Sequence, residues 1–247
     1  MRTVEPLTDR PPRPARRALL GQTWRHVLFV HWPVNPAAVA PLLPRGVRPD
    51  VRNGTSWVGL VPFTMERLGP VRLGGVPYLG TFTEVNVRLY SVDAAGRRGV
   101  VFRTLACSRL LPVLAARAAL RLPYRWASAR LIVTGHTMAV AARDRRPGGR
   151  ATTTVLTARI GPRIEHPGPL ATFLTARWGL HVDWYGRTLY LPADHPPWPL
   201  HHAELTFLAD RFVADAGIRV TPPAISVLYS PGVPVRFGPA LPCPVPC

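Results

Sequence analysis

The chain has 247 residues, of which 47% are hydrophobic and 18% charged, with a formal net charge of +18. That apolar share can bury a sizeable core, which excludes a wholly disordered chain, and the length suits one large β domain better than two small ones. Thirty prolines and twenty glycines exclude a helical bundle, because proline breaks a helix interior. Spread between short apolar runs, they predict many short strands joined by turns.

Residues 1–20 carry many arginines and prolines and read as a disordered basic tail. Arg16-Arg17 resembles a twin-arginine signal, but Ala18-Leu19-Leu20 is stopped at once by Gly21, Gln22 and Arg25, so no apolar leader core forms. A domain over 21–238 follows. Its first strand runs from Trp24 to Trp32. Asn35-Pro36 then starts a short helix with Asn35 as cap, which Pro41 and Pro44 end within two turns. Thr55 to Glu66 is apolar on both parities, the pattern of a strand buried on both faces, as in a barrel wall.

Further strands are expected at Gly80–Val92, Gly99–Cys107, Trp126–Val133, His136–Ala142 and Ala151–Ile160. Later ones are Leu180–Tyr185, Thr188–Leu191, Ala224–Tyr229 and Val233–Phe237. Asp93-Ala-Ala-Gly96 and Pro147-Gly148-Gly149 read as hairpin loops. Helices are expected at Leu110–Leu120, at Pro169–Trp178, and at Glu204–Ala216, where Leu205, Leu208 and Phe212 share a helical face and Gly217 caps the end. Residues 239–247 form a proline-rich tail. About ten strands with about three helices make a mainly β, antiparallel, barrel-like domain with the helices outside it.

All 31 basic residues are arginine. They are scattered, with dense clusters only at Arg10 to Arg17 and Arg143 to Arg150, so a solvated basic surface is expected and no specific nucleic-acid partner. Cys107, Cys243 and Cys247 cannot build a disulfide framework, and Cys243-Pro-Val-Pro-Cys247 has no second ligand pair. This cysteine usage points to a reducing, cytoplasmic setting. No run approaches the roughly 20 apolar residues of a membrane span, so no membrane partner is expected. His201 and His202 are neighbours that would diverge on a strand, no glycine-rich phosphate loop or G-x-S-x-G elbow is present, and neither a metal nor a cofactor is expected.

The informative segment is Phe82-Thr-Glu-Val-Asn-Val-Arg-Leu-Tyr90. In a strand, Phe82, Glu84, Asn86, Arg88 and Tyr90 share one face, and Val85, Val87 and Leu89 lie on the other. The stripe could face water, but aromatics at both ends favour a polar line inside a barrel, with Glu84 and Arg88 paired through Asn86. Leu122-Pro-Tyr-Arg-Trp126 could project Tyr124 and Arg125 over the barrel mouth. Asp194-His-Pro-Pro-Trp-Pro199 holds an extended backbone that presents His195 and Trp198. Trp57, on the strand buried on both faces, completes the expected lining.

Six segments in order carry a resemblance: His31-Trp-Pro-Val34, Trp57-Val-Gly-Leu-Val-Pro-Phe63, Glu84-Val-Asn-Val-Arg88, Leu122-Pro-Tyr124, His195-Pro-Pro-Trp198 and Tyr229-Ser-Pro-Gly-Val233. They look like the YqjF-like bacterial family, grouped with the acetoacetate decarboxylase-like superfamily, over Trp24 to Phe237. The resemblance implies a cone-like antiparallel β-barrel with an interior small-molecule pocket. Glu84 resembles the decarboxylase's interior glutamate. Arg121-Leu-Pro123 resembles the turn before its lysine pair, which puts Tyr124 where the imine-forming lysine would stand and Arg125 at its neighbour. With no lysine in the chain and no Schiff base open to tyrosine, that decarboxylation route is out. What remains is a cofactor-independent enzyme acting on a small carbonyl or enolisable compound, lyase-, isomerase- or cyclase-like, and a possible homo-oligomer. Glu84 would be its general base or acid, Tyr124 a donor to a developing oxyanion, and Arg125 or Arg88 an anion clamp. The alternatives are a non-catalytic small-ligand-binding barrel and, more weakly, a basic nucleic-acid-associated protein.

Overall fold

The computed structural model describes residues 3–14, 17–145 and 151–244. The hairpin loop expected at Pro147-Gly148-Gly149, Cys247 and parts of both arginine clusters lie outside the described residues. In chain order the elements are β1 (Leu20–Val34), α1 (Pro36–Val39), β2 (Val47–Pro49), β3 (Ser56–Pro70), β4 (Phe82–Asp93), β5 (Arg98–Cys107) and α2 (Leu110–Leu120). There follow β6 (Tyr124–Thr134), β7 (Thr137–Asp144), β8 (Thr153–Arg163), α3 (Pro169–Thr175), β9 (Gly179–Trp184) and β10 (Arg187–Asp194). The chain closes with β11 (His201–Asp210), α4 (Phe212–Asp215), β12 (Ser226–Phe237) and β13 (Leu241–Pro242). No described helix is long and apolar enough to cross a membrane.

The domain is mainly β, and its strands form one sheet in the order β13-β10-β9-β5-β6-β7-β8-β11-β12-β1-β3-β4-β2, with further pairings of β10 to β12 and of β5 to β4. Neighbours are antiparallel except where β5 meets β6 and β9. The β5–β6 contact is parallel because α2 carries the chain back between them, the crossover such a pair requires. The β5–β4 pairing brings the sheet back on itself, so β4 has neighbours on both edges. Its two side-chain faces are also covered: Val85, Val87 and Leu89 join an apolar core with Leu28, Val30 and Leu60, and the opposite parity faces a cavity.

Local sequence accounts for most boundaries. The Asn35 side chain accepts from Ala37 N at 2.9 Å to cap α1, and the Asp93 carboxylate accepts from Ala95 N at 2.9 Å and Arg97 N at 3.0 Å to hold the β4–β5 turn. Two expected strands near the C-terminus are one, β12. Gly232, at φ +125°, lets the strand pass beside β1 where any Cβ would collide with the Trp24 carbonyl oxygen.

The helix expected over Glu204–Ala216 is instead β11 followed by the four-residue α4. A register shift between Leu205 and Phe207 against β8 marks a β-bulge. The bulge leaves Thr206 and Phe207 both exposed and turns Leu205 and Leu208 both inward, so an i, i+3 spacing that mimics a helix lies on one face of a strand.

The two tails also differ from expectation. Residues 3–14 lie against the domain: Glu5 N donates to Gly96 O at 2.9 Å, Arg98 Nε donates to Glu5 O at 2.8 Å, and Trp178 Nε1 donates to Thr8 O at 3.2 Å. Glu5 also pairs with Arg13. The partners of these groups lie far along the chain, where composition cannot show them. At the other end, β13 pairs with β10 and leaves Cys243 buried.

Candidate active site

The cavity beside β4 has a volume of about 670 Å³. Glu84, Asn86 and Arg88 reach it from β4, Tyr124 from the start of β6, and His195 and Trp198 from the extended stretch after β10. Strand register brings Tyr124 in: Asn86 pairs with Leu105 and Leu105 with Tyr124, so the three stand in one row across β4, β5 and β6. From there Tyr124 Oη donates to Glu84 Oε2 at 2.9 Å.

Glu84 is 2% exposed. Burial lifts its carboxyl to about 7, against the opposing pull of hydrogen bonds from Tyr124 and Asn86. Burial likewise raises the Tyr124 phenol well above its usual value, and the Glu84 charge adds to this. Tyr124 therefore stays a donor at neutral pH, while Glu84 exchanges its proton there. Cys107, opposite Glu84 in the register, is pushed up to about 12, first by burial and then by Glu84, so it remains a thiol.

Glu84 and Arg88 are not paired through Asn86, as the sequence had suggested. Arg88 donates to Tyr90 Oη from Nε at 3.3 Å and from Nη2 at 3.1 Å, and Nη2 also donates to Leu174 O at 3.1 Å. Its guanidinium lies 5.2 Å from the centre of the Phe29 ring. Among the described residues no carboxylate pairs with Arg88, whereas Arg98 and Arg177 share Asp50. Asn86 Oδ1 is buried without a hydrogen-bond partner. A long side chain at every second position of an extended strand reaches its own neighbours more readily than one four residues away, so Glu84 meets burial by holding a proton and Arg88 by hydrogen bonding.

Of the other expected residues, Tyr90 is fully buried behind Arg88 and outside the lining, with its hydroxyl 2.7 Å from His31 Nε2. Phe82 packs with Phe63 and Met65 in a neighbouring apolar cluster, and Trp57 packs with Phe173 and Leu174. Neither lines the cavity. Arg125 turns away from it to pair with Asp144 at 3.5 Å and with Asp215. Consecutive residues on a strand point to opposite faces, so Tyr124 and Arg125 cannot both enter. His195 makes no dyad with Asp194; its Nδ1–H donates to Pro196 O at 2.8 Å, and its ring lies 4.5 Å from Trp178 and 5.0 Å from Trp198. Burial lowers its pKa, so it is a neutral wall.

Sequence reasoning missed Trp24, Phe29, Phe63 and Arg177, which also line the cavity. The only signal for the aromatics was the strength of β1 and β3 as strands. Arg177 gives none, because its partner Asp50 is 127 residues away. Asp93, His181 and Cys243 form a separate buried cluster whose donor atoms lie within 4.8 Å of one another. Arg97 Nε already donates at 2.6 Å to the Asp93 oxygen that faces His181, so a cation there would meet a guanidinium.

This closed-back β sheet around a polar-floored cavity places the chain among acetoacetate decarboxylase-like folds. The enduracididine biosynthesis enzyme MppR, complexed with the condensation product of pyruvate and imidazole 4-carboxaldehyde, is similar with a TM-score of 0.64 at 14% identity, covering 90% of this chain and 88% of that one. An acetoacetate decarboxylase-like enzyme from Sphingomonas wittichii RW1 is similar with a TM-score of 0.64 at 12% identity, covering 99% of both chains. The acetoacetate decarboxylase of Legionella pneumophila has a TM-score of 0.61 at 13% identity, covering 99% of this chain and 92% of that one. Residues 21–234 match DUF2071, described as an uncharacterized conserved protein, and the chain belongs to that family. It is 30% identical over 186 residues to the uncharacterized protein YqjF of Bacillus subtilis (strain 168), covering 75% of this chain and 76% of that protein.

Proposed function

We propose that this protein is a small-molecule enzyme that moves a proton at a carbon next to a carbonyl group, without a lysine imine. The observation that carries the reading is the buried Glu84 carboxyl, titrating at about 7, with the Tyr124 hydroxyl 2.9 Å away on the wall of the cavity. A base poised near neutrality suits such proton transfer. Glu84 as carboxylate takes the proton from carbon, and the electron pair moves onto the carbonyl oxygen. Tyr124 turns its hydroxyl from Glu84 to that oxygen and stabilises the enolate. Arg88, with no carboxylate of its own, holds an acid group of the substrate. The solved neighbour MppR, whose bound product derives in part from pyruvate, supports an oxo acid as the substrate class. We take the sheet as a cone-like barrel around this site, and we place the protein in a reducing cytoplasm, without a resident cofactor or a specific nucleic-acid partner.

The predominantly apolar walls also favour a second reading, a barrel that holds a ligand without turning it over. Hydrogen–deuterium exchange decides between them. Incubated in heavy water with a panel of 2-oxo and 3-oxo acids, the wild-type chain should catalyse exchange next to the carbonyl, and Glu84→Gln should lose it by at least a hundredfold. Exchange that survives in Glu84→Gln overturns the proposal, and saturable binding without exchange in the wild type establishes the second reading.

A further inference from the structure

We infer that the ligand of this cavity is an amphiphilic carboxylate, with its acid group on Arg88 and an apolar chain of medium length laid along the cavity toward the surface. The carboxylate rests on the Proposed function only for the carbonyl beside it; the chain rests on the walls. The polar groups of β4 that could meet a ligand, Glu84, Asn86 and Arg88, are 2%, 4% and 7% exposed. Much of the remaining lining is apolar, Phe29, Phe63, Met65, Leu105, Leu120 and Leu191 among others, which offer a ligand surface burial and almost no hydrogen bonding.

The lining also extends far beyond a four-carbon acid. Helix α2 contributes residues from both of its ends, Leu111 and Pro112 at the first turn and Ala119 and Leu120 at the last. At 1.5 Å per residue that face runs roughly 13 Å. The volume of about 670 Å³ falls in the range of pockets that hold ligands of drug size, roughly 300–1,000 Å³. A small oxo acid on Arg88 would leave most of these walls facing water.

The cavity opens through an apolar rim. Leu19, Val76 and Leu111 line it and are also 64%, 42% and 56% exposed. The α2 sequence Leu-Leu-Pro-Val-Leu-Ala-Ala-Arg-Ala-Ala-Leu has Arg117 as its one charged residue, where an ordinary surface helix would carry a charged outer face. Apolar side chains held at the mouth of an apolar cavity are what a hydrocarbon tail requires on entry. An entrance for a fully hydrated acid would carry polar groups.

The test uses the full chain and its own tryptophans, since Trp24 and Trp198 line the cavity and report occupancy by fluorescence. Straight-chain saturated carboxylates from acetate to decanoate are titrated at pH 6, where Glu84 is mostly protonated and does not repel them. Dissociation constants should fall roughly threefold to fourfold for each added methylene, saturating at one ligand per chain, and octanol should bind at least tenfold more weakly than octanoate because Arg88 is left unpaired. Leu111→Glu, a change at an exposed position, should flatten the chain-length dependence without unfolding the protein. Affinity that ignores chain length, or octanol that binds as well as octanoate, overturns the inference. Saturated acids have no carbonyl to enolise, so loss of this binding pattern and loss of deuterium exchange are separate failures.

Discussion

The sharpest consequence of the site is a stability that depends on pH through one residue. Glu84 has an ordinary carboxyl value of 4.5 in the unfolded chain and about 7 in the folded one, so the folded state binds its proton more tightly. Its contribution is therefore fully present below about pH 4.5 and is lost as pH rises through 7. Ionising the buried group costs the fold about 3 kcal/mol in total, of which about 2 to 3 kcal/mol falls between pH 5 and pH 8. Glu84→Gln keeps the shape and the acceptor for Tyr124 Oη but cannot ionise. The variant should match the wild type to within about 1 kcal/mol at pH 5 and exceed it by about 2 to 3 kcal/mol at pH 8, measured by urea unfolding at both pH values. The other shifted acids, such as Asp210, raised by burial, and Asp93, held well below the carboxylate range, are present in both proteins and cancel. A difference that stays constant with pH would show that Glu84 does not change ionisation in a buried site, and the acid–base reading would lose its base.

The part of this site that was legible in the sequence is the part that a period of two can encode. Phe82 to Tyr90 alternates strictly, and β4 is covered on both faces, so parity alone separated Val85, Val87 and Leu89 from Glu84, Asn86 and Arg88. Tyr124 was legible as a residue near the barrel mouth, but its pairing with Glu84 was legible only through the family resemblance, because that place depends on two strand pairings that join residues 40 positions apart. Arg125 was misplaced for a reason the sequence already held: once Tyr124 starts a strand and points inward, its successor must point outward. The β11 error is of another kind, since a bulge converts a strand's period locally into a helix-like spacing and leaves no residue-type mark. The hydrogen bonds around Arg88, with Tyr90, His31 and Leu174 O, join residues up to 86 positions apart, and no local pattern announces which buried hydroxyl a given arginine will find.

Four further outcomes follow from named contacts. Arg125→Ala should leave turnover and affinity unchanged and cost about 1 kcal/mol in urea unfolding, since its pair with Asp215 is partly solvated; a large loss of activity would return it to the site. Borohydride reduction in the presence of acetoacetate should leave no adduct by mass spectrometry within 21–234, because the chain has no lysine. Gly232→Ala should destabilise by more than about 2 kcal/mol or prevent folding, since its Cβ would strike the Trp24 carbonyl; near-neutral unfolding data would contradict the β1–β12 approach. Tyr124→Phe separates catalysis from packing. If the hydroxyl serves the enolate, kcat should fall roughly 10²- to 10³-fold while KM stays within about threefold. Its loss also removes a hydrogen bond that draws the Glu84 carboxyl down, so the rising limb of the rate against pH should move to higher pH as that pKa climbs. A hydroxyl that only hydrogen-bonds Glu84 would move the limb and leave the plateau kcat unchanged, and an unchanged kcat would leave the enolate without the donor that the mechanism requires.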